Sequence, residues 1–423
     1  MRRVASLFLL TSAVAIASAQ DARESQLWKA NISPLLAAPL WSSPARAYSA
    51  GHVLMVPLHA AFSTGNDAWE REFAAQFAKY MADGKDQYTE WGTPVRLNYM
   101  QYLYLHTRFG VLAAQAKKTD LIPAGMLDWI SNLLDRLWTS ESSITYGRAA
   151  CTGMKERLQY KLNLRNPAKS YYRAIIDEER YLFAEAADLR AYERITGKKL
   201  PHSETLTDIL DSAREVFRTR GREEPGGGWI FEPGVWSDHP DYQYAGNAEK
   251  VTGMSASPRP GIGEDTSHSH RMALWLTSLA EAYPESSSDR RFYEDLRSKL
   301  EKQFFNRVLI EPTGDFKGYR TTNYMDGSNG VYRYNYKALG AGNGYGGYEL
   351  SGTFLLGWWT FLGTDRIHKA YEAQAKLYPL DENALRVYLG GSGAEKVDAA
   401  MENPKKFNDL RELLCRLAAK TGG

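Results

Sequence analysis

The chain is short of cysteine: Cys151 and Cys415 are the only two in 423 residues. Two thiols so far apart in sequence fit no metal-ligand spacing and no disulfide framework, and at most they form one bridge in an oxidising compartment. Surplus charge is also missing. There are 52 Lys and Arg against 50 Asp and Glu, and two of the arginines, Arg2 and Arg3, precede the first apolar run. A balanced chain has no overall field to draw it onto nucleic acid or an anionic membrane, so neither is expected as a partner. Beyond the N-terminal run, no segment is long and apolar enough to span a bilayer. No HExxH motif or EF-hand loop occurs, so no metal or other cofactor is expected. No linker, low-complexity run or strict helical repeat divides the chain.

The N-terminus, MRRVASLFLLTSAVAIASAQ, has the basic start, apolar stretch and small-residue site (Ala17-Ser18-Ala19) of a secretory signal peptide. Residues 1–19 are read as that leader. Residues 20–423 are then expected as one exported domain, secreted or periplasmic.

Helical periodicity dominates the remainder of the chain. In residues 67–82, Trp69, Phe73, Phe77 and Tyr80 recur on one helix face. Similar patterns occupy 97–115, 124–138, 171–196, 204–220, 268–283, 289–305, 349–362, 365–377 and 406–419, separated by breakers such as Pro123, Gly197, Pro201, Pro284, Gly363 and Pro379. Consecutive helices joined by short turns pack as hairpins. The expected fold is all-α, a toroid of roughly six or seven helical hairpins in two concentric rings, with long loops over one end. Two irregular stretches, 221–266 and 306–348, are the candidate loops, and loops of that length are usually functional.

Both are rich in the chemistry of a sugar site. Residues 316–348 hold seven tyrosines and eight glycines, with Arg320, Arg333, Asn323, Asn329 and Asn335 between them. Glycine admits tight turns, tyrosine offers a flat ring with a polar tip, and arginine forks onto carboxylates. Such a loop suits a flat, oxygen-rich anion, and an acidic polysaccharide is the obvious candidate. The first loop repeats the theme with Trp229, Trp236, Tyr242 and Tyr244, and closes on Gly263-Glu264-Asp265-Thr266-Ser267-His268-Ser269-His270-Arg271 at the start of a helix. On an uninterrupted helix His268 falls among the apolar positions and His270 on the far side. Both faces of an inner helix are covered, so both histidines stay candidates. A zinc or calcium site built from Glu264, Asp265, His268 and His270, with His239, is the weaker reading.

On GEDTSHSHR, the Arg- and Tyr-rich loop, the leader and the helical layout, the chain resembles the α/α-toroid polysaccharide lyases that cleave alginate and glucuronan, most of all polysaccharide lyase family thirty-eight. The NNHSYW-type motif of another alginate lyase family is absent. The resemblance implies β-elimination, in which a base removes the uronate C5 proton, an acid protonates the departing C4 oxygen, and donors neutralise the carboxylate. On this chain Tyr324, within Arg320-Thr-Thr-Asn323-Tyr324, is expected as base and acid. Arg320, Asn323, His270 and Glu264 form the neutralising set, and His268 is the competing histidine. Tyr332, Tyr334 and Tyr336 are the fallback tyrosines. Substrate contacts are expected from Arg271, Trp229, Trp236, Tyr244, Asn98, Tyr99, Tyr332, Arg333 and Tyr336, with Trp91 beside them. The alternatives are a toroid glycoside hydrolase pairing Glu264 or Asp265 with Asp238, Asp241 or Asp326, a uronate epimerase, and a non-catalytic glycan-binding protein.

Overall fold

A computed structural model of the chain describes residues 21–90, 93–390 and 403–421. The leader expected at 1–19 and Trp91 lie outside them. Among the described residues, no helix is long and apolar enough to cross a membrane.

The fold is mostly helical. The principal helices are α1 (Pro44–Ser63), α2 (Asp67–Asp83), α3 (Thr93–Gln115), α4 (Met126–Thr139), α5 (Gly153–Asn163), α6 (Asp177–Thr196), α7 (Ser203–Arg220), α8 (Met272–Glu281), α9 (Ser288–Gln303), α10 (Asp365–Ala375), α11 (Glu382–Leu389) and α12 (Pro404–Ala418). Their starts follow ordinary capping chemistry. The Asn66 side chain accepts from the Trp69 N–H at 3.2 Å and opens α2. The predicted apolar face of α2 is buried, and Trp69 stacks on Trp28 with ring centroids 4.0 Å apart.

Packing runs from helix to helix. α1 lies on α3, α3 on α6, and α6 on α8; α8 packs against the turn Trp358–Leu362, and α12 packs on Ser351–Leu356 and returns to α1. In addition, α2 packs on α1, α4 on α3, α7 on α6, and α9 on α8. The strands are short antiparallel hairpins: Ser142–Ile144 with Ala150–Thr152, Gly221–Glu224 with Gly228–Phe231, and Leu309–Ile310 with Arg320–Thr321.

Two of the expected helices need correction. The helix expected at 349–362 is two short 3-10 segments broken at Gly357. Gly357 has φ +86, and a Cβ there would come within 3.1 Å of both Val56 and Ala418, so this close approach to α1 and α12 requires glycine. The helix expected from 171 starts at Asp177, where Glu179 accepts from the Ile176 N–H at 2.9 Å. Cys151 and Cys415 are both free and buried, so they form no bridge.

A buried ion network fixes the start of α6. Arg96 of α3 bonds Glu178 at 2.7 Å, Arg157 of α5 bonds Glu179 at 2.8 Å and also Glu178, and Lys161 bonds Glu179 at 2.6 Å. Three helices are thereby tied at the point where α6 presents its first turn to a cleft.

Candidate active site

The first turns of α3 and α6, the one-turn helix Thr266–Ser269 and the two long loops converge on a cleft with about 510 Å³ of empty space. Asp177 and Arg180 come from α6, and Trp236, His239, Asp241, Tyr242 and Glu264 from the first loop. His268 comes from the short helix, Tyr332 and Arg333 from the second loop, and Tyr146 from the 142–152 hairpin.

Asp265 organises the histidine. Its Oδ1 caps the short helix, accepting from the N–H groups of Ser267 (3.1 Å) and His268 (3.2 Å). The same carboxylate accepts the His268 Nδ1–H, with its oxygens at 2.9 and 2.8 Å, and the Tyr242 hydroxyl at 2.7 Å. Nδ1 therefore holds a proton, and Nε2 is bonded to no described residue. Burial opposes charge on the ring, but Asp265, seconded by Asp177, outweighs it and raises the His268 pKa above its ordinary value.

Asp241 organises an anion receptor. Its Oδ2 accepts the Arg333 Nε–H at 2.8 Å, and its carbonyl accepts the Arg333 backbone N–H at 2.9 Å. Arg333 sits at φ +53, a conformation rare outside glycine. Its guanidinium lies over the rings of Tyr332 and Tyr336, and its two terminal nitrogens are bonded to no described residue. The Asp241 N–H donates to His239 Nδ1 at 3.2 Å, which leaves the His239 proton on Nε2. Burial lowers the His239 pKa, so the ring stays a neutral donor.

The remaining charges are matched among themselves. Arg180 grips Glu264 with both terminal nitrogens and gives Nε–H to the Ile175 carbonyl at 3.1 Å, while Ser269 donates to Glu264 at 2.9 Å. Asp177 is bonded to Arg271, which also donates to His52 Nε2 and to the Tyr48 hydroxyl. Arg333 is thus the cleft cation with donors to spare. Tyr332 faces the same space, and its hydroxyl is bonded to no described residue. Burial, with the nearby Asp265 carboxylate, pushes its pKa well up, so the phenol keeps its proton.

Of the expected site residues, Glu264, His268, Trp236, Tyr332 and Arg333 line the cleft. Tyr336 lies at its edge beneath Arg333. The expected centre around Tyr324 is not assembled. Tyr324 is fully buried behind Tyr242 and Tyr332, its hydroxyl is given to the Val331 carbonyl at 3.0 Å, and burial pushes its pKa up. The Arg320 guanidinium is sandwiched between Phe316 and Tyr348. Asn323 staples its loop, donating to the carbonyls of Gly330 (2.9 Å) and Gly346 (2.8 Å). His270 is buried against His52 and Trp358. Arg271 lies beneath the floor as the anchor of Asp177. Trp229 and Tyr99 belong to the core. Tyr244 packs on Tyr334, which donates to the Val251 carbonyl. Asn98 is half-buried beside Leu97, the α3 residue that does line the cleft.

Tyr146, Asp177 and Arg180 were not expected, and His239 only as a metal ligand. No motif marks the first three. The Pro-Asp pair after His239 is the one local signal, since a histidine before such a turn can cap it. The chain matches no protein-family model, no curated protein and no solved structure.

Proposed function

We propose that this protein is an exported polysaccharide lyase that cleaves a uronate-containing polymer by β-elimination. The helix-to-helix packing of α1, α3, α6, α8 and α12 supports the α/α-toroid reading of the fold. The observation that carries the function is the meeting, in one cleft, of an imidazole with an open Nε2, a free tyrosine hydroxyl and an unspent guanidinium.

In this reading the uronate carboxylate binds the terminal nitrogens of Arg333, with His239 Nε2–H as a second donor. Together they hold the charge that develops when C5 loses its proton. His268 Nε2 takes that proton, and Asp265 holds the resulting imidazolium. The C4–O bond breaks as the electron pair forms the C4–C5 double bond, and Tyr332 gives its proton to the departing oxygen. Solvent then returns a proton to Tyr332 and removes one from His268, so no water enters the product.

The hydrolase alternative needs a carboxyl group held protonated. Every carboxylate around the cleft already has a cationic partner: Asp177 has Arg271, Asp241 has Arg333, Glu264 has Arg180, and Asp265 has His268. That distribution favours elimination.

The test is ultraviolet absorbance over time on glucuronan, polymannuronate and polyguluronate. Absorbance should rise on one of them and should vanish with Tyr332→Phe or His268→Gln. New reducing ends without absorbance would point to hydrolysis instead.

A further inference from the structure

The cleft does not end at Tyr146. That tyrosine sits on the turn of the 142–152 hairpin, 44% exposed, and lies edge-on to Trp236 (ring centroids 6.0 Å apart), His239 (5.8 Å) and Tyr171 (5.4 Å). Tyr171 in turn meets Tyr172 at 5.0 Å. The turn is seated on this shelf: a Cβ on Gly147 would meet the Tyr172 ring at 3.3 Å. An aromatic surface therefore runs without a break from the catalytic cleft outwards, ending in half-buried rings at Tyr171 and Tyr172. Core aromatics have no reason to emerge in this way.

The turn that carries Tyr146 also carries a cation. Arg148, on the turn itself, is exposed, and the positive charge of Lys169 acts on Asp238 close by. Asp238 is held by the neighbouring backbone turn: it accepts from the Ser170 N–H at 2.8 Å and from the Ser170 hydroxyl. An exposed arginine next to an exposed tyrosine ring is a local provision for an anion with an apolar face. A pyranose ring bearing a carboxylate is such a ligand.

We propose that the hairpin tip, Tyr146 with Arg148, together with Tyr171 and Tyr172, forms an outer subsite that binds a further uronate residue of the same polymer. This inference rests on the acidic-polysaccharide reading of the cleft. It adds that recognition extends past the reacting sugar, and that long chains are preferred to short ones.

The experiment is calorimetric titration with oligoglucuronates and oligomannuronates from dimer to hexamer, with elimination followed on the same set. Affinity in the wild type should climb with length. Tyr146→Ala and Arg148→Ala should each weaken hexamer binding about tenfold, roughly one good contact, and dimer binding less. Tyr146→Phe should restore it, because stacking needs the ring alone. Hexamer binding that ignores both changes, or losses equal at every length, would overturn the subsite. Length-dependent binding without any unsaturated product would leave the subsite standing and remove the lyase reading. Failure of every acidic oligomer to bind would remove both.

Discussion

Asp265 and His268 sit three residues apart on a single helical turn, and both carboxylate oxygens lie within 2.9 Å of the imidazole Nδ1. The acid that starts the helix therefore also sets the proton on the ring. Because the pairing raises the His268 pKa, a reaction that needs neutral His268 should gain rate as pH rises through a value above about 6.5. Asp265→Asn removes the charge that holds the proton. The acid limb of the kcat/KM profile should move to lower pH, with a rate loss of about a hundredfold or more. An unmoved limb would take His268 out of the base role.

Two tyrosines with touching rings should behave differently. Tyr332→Phe removes the open hydroxyl in the cleft and should abolish elimination with little change in melting temperature. Tyr324→Phe removes a bond to the Val331 carbonyl and should cost about 1 kcal/mol of stability, leaving kcat nearly intact. Steady-state kinetics and thermal melts on the two variants separate them; the opposite pattern would restore Tyr324 as the reacting tyrosine.

Arg157 answers two glutamates at the start of α6 and is itself buried. Arg157→Ala leaves Glu178 and Glu179 short of positive charge in a closed interior, so a loss of about 3–5 kcal/mol is expected in denaturant unfolding. Because Asp177 and Arg180 ride on the same turn, substrate affinity should fall as well.

Four histidines, His52, His59, His106 and His270, are held neutral by burial, His106 with its pKa pushed down to about 3. Their folded values lie below the unfolded one, so the unfolded chain takes up protons first as pH falls. The stability they contribute is present above about pH 6.5 and is lost below it. His268 has the opposite sign: its contribution is full below about pH 6.5 and fades as pH rises through its raised value. The melting temperature should fall between about pH 6.5 and 5, and His106→Phe should flatten that slope.

Glu185 on α6 is fully buried, and neither carboxylate oxygen has a hydrogen-bond partner among the described residues. Burial, with Asp188 nearby, raises its pKa well above the ordinary value, so it stays protonated in the folded state. The unfolded chain releases that proton above about pH 4.3, which costs stability at neutral pH. Glu185→Gln should raise the melting temperature, more at pH 8 than at pH 5.

Much of this was legible in the residues. The 3.6-residue pattern located most helices because their outer faces are wet, and the two long loops stood out because glycine and tyrosine rarely alternate in a core. α1 was not legible: it is apolar on nearly every side and carries Pro57, so it shows neither a clean stripe nor an unbroken run. The two histidines exchanged places because the helix is interrupted at His270, which resets the phase and turns His268 to the cleft. Tyr146, Asp177 and Arg180 reach the site only through tertiary packing, and no spacing in the chain announces them.

The helices that meet at the cleft run in a common direction. α3 and α6 bring their first turns to it, whereas the far ends of α1, α3 and α8 line a separate cavity with His59, Arg108 and Glu281. Peptide dipoles aligned in this way edge the cleft with the positive ends of α3 and α6. Two helix starts thus lend the cleft a polarity that the chain's small net charge of +2 does not supply. An anion at the cleft is favoured by that polarity before any side chain touches it.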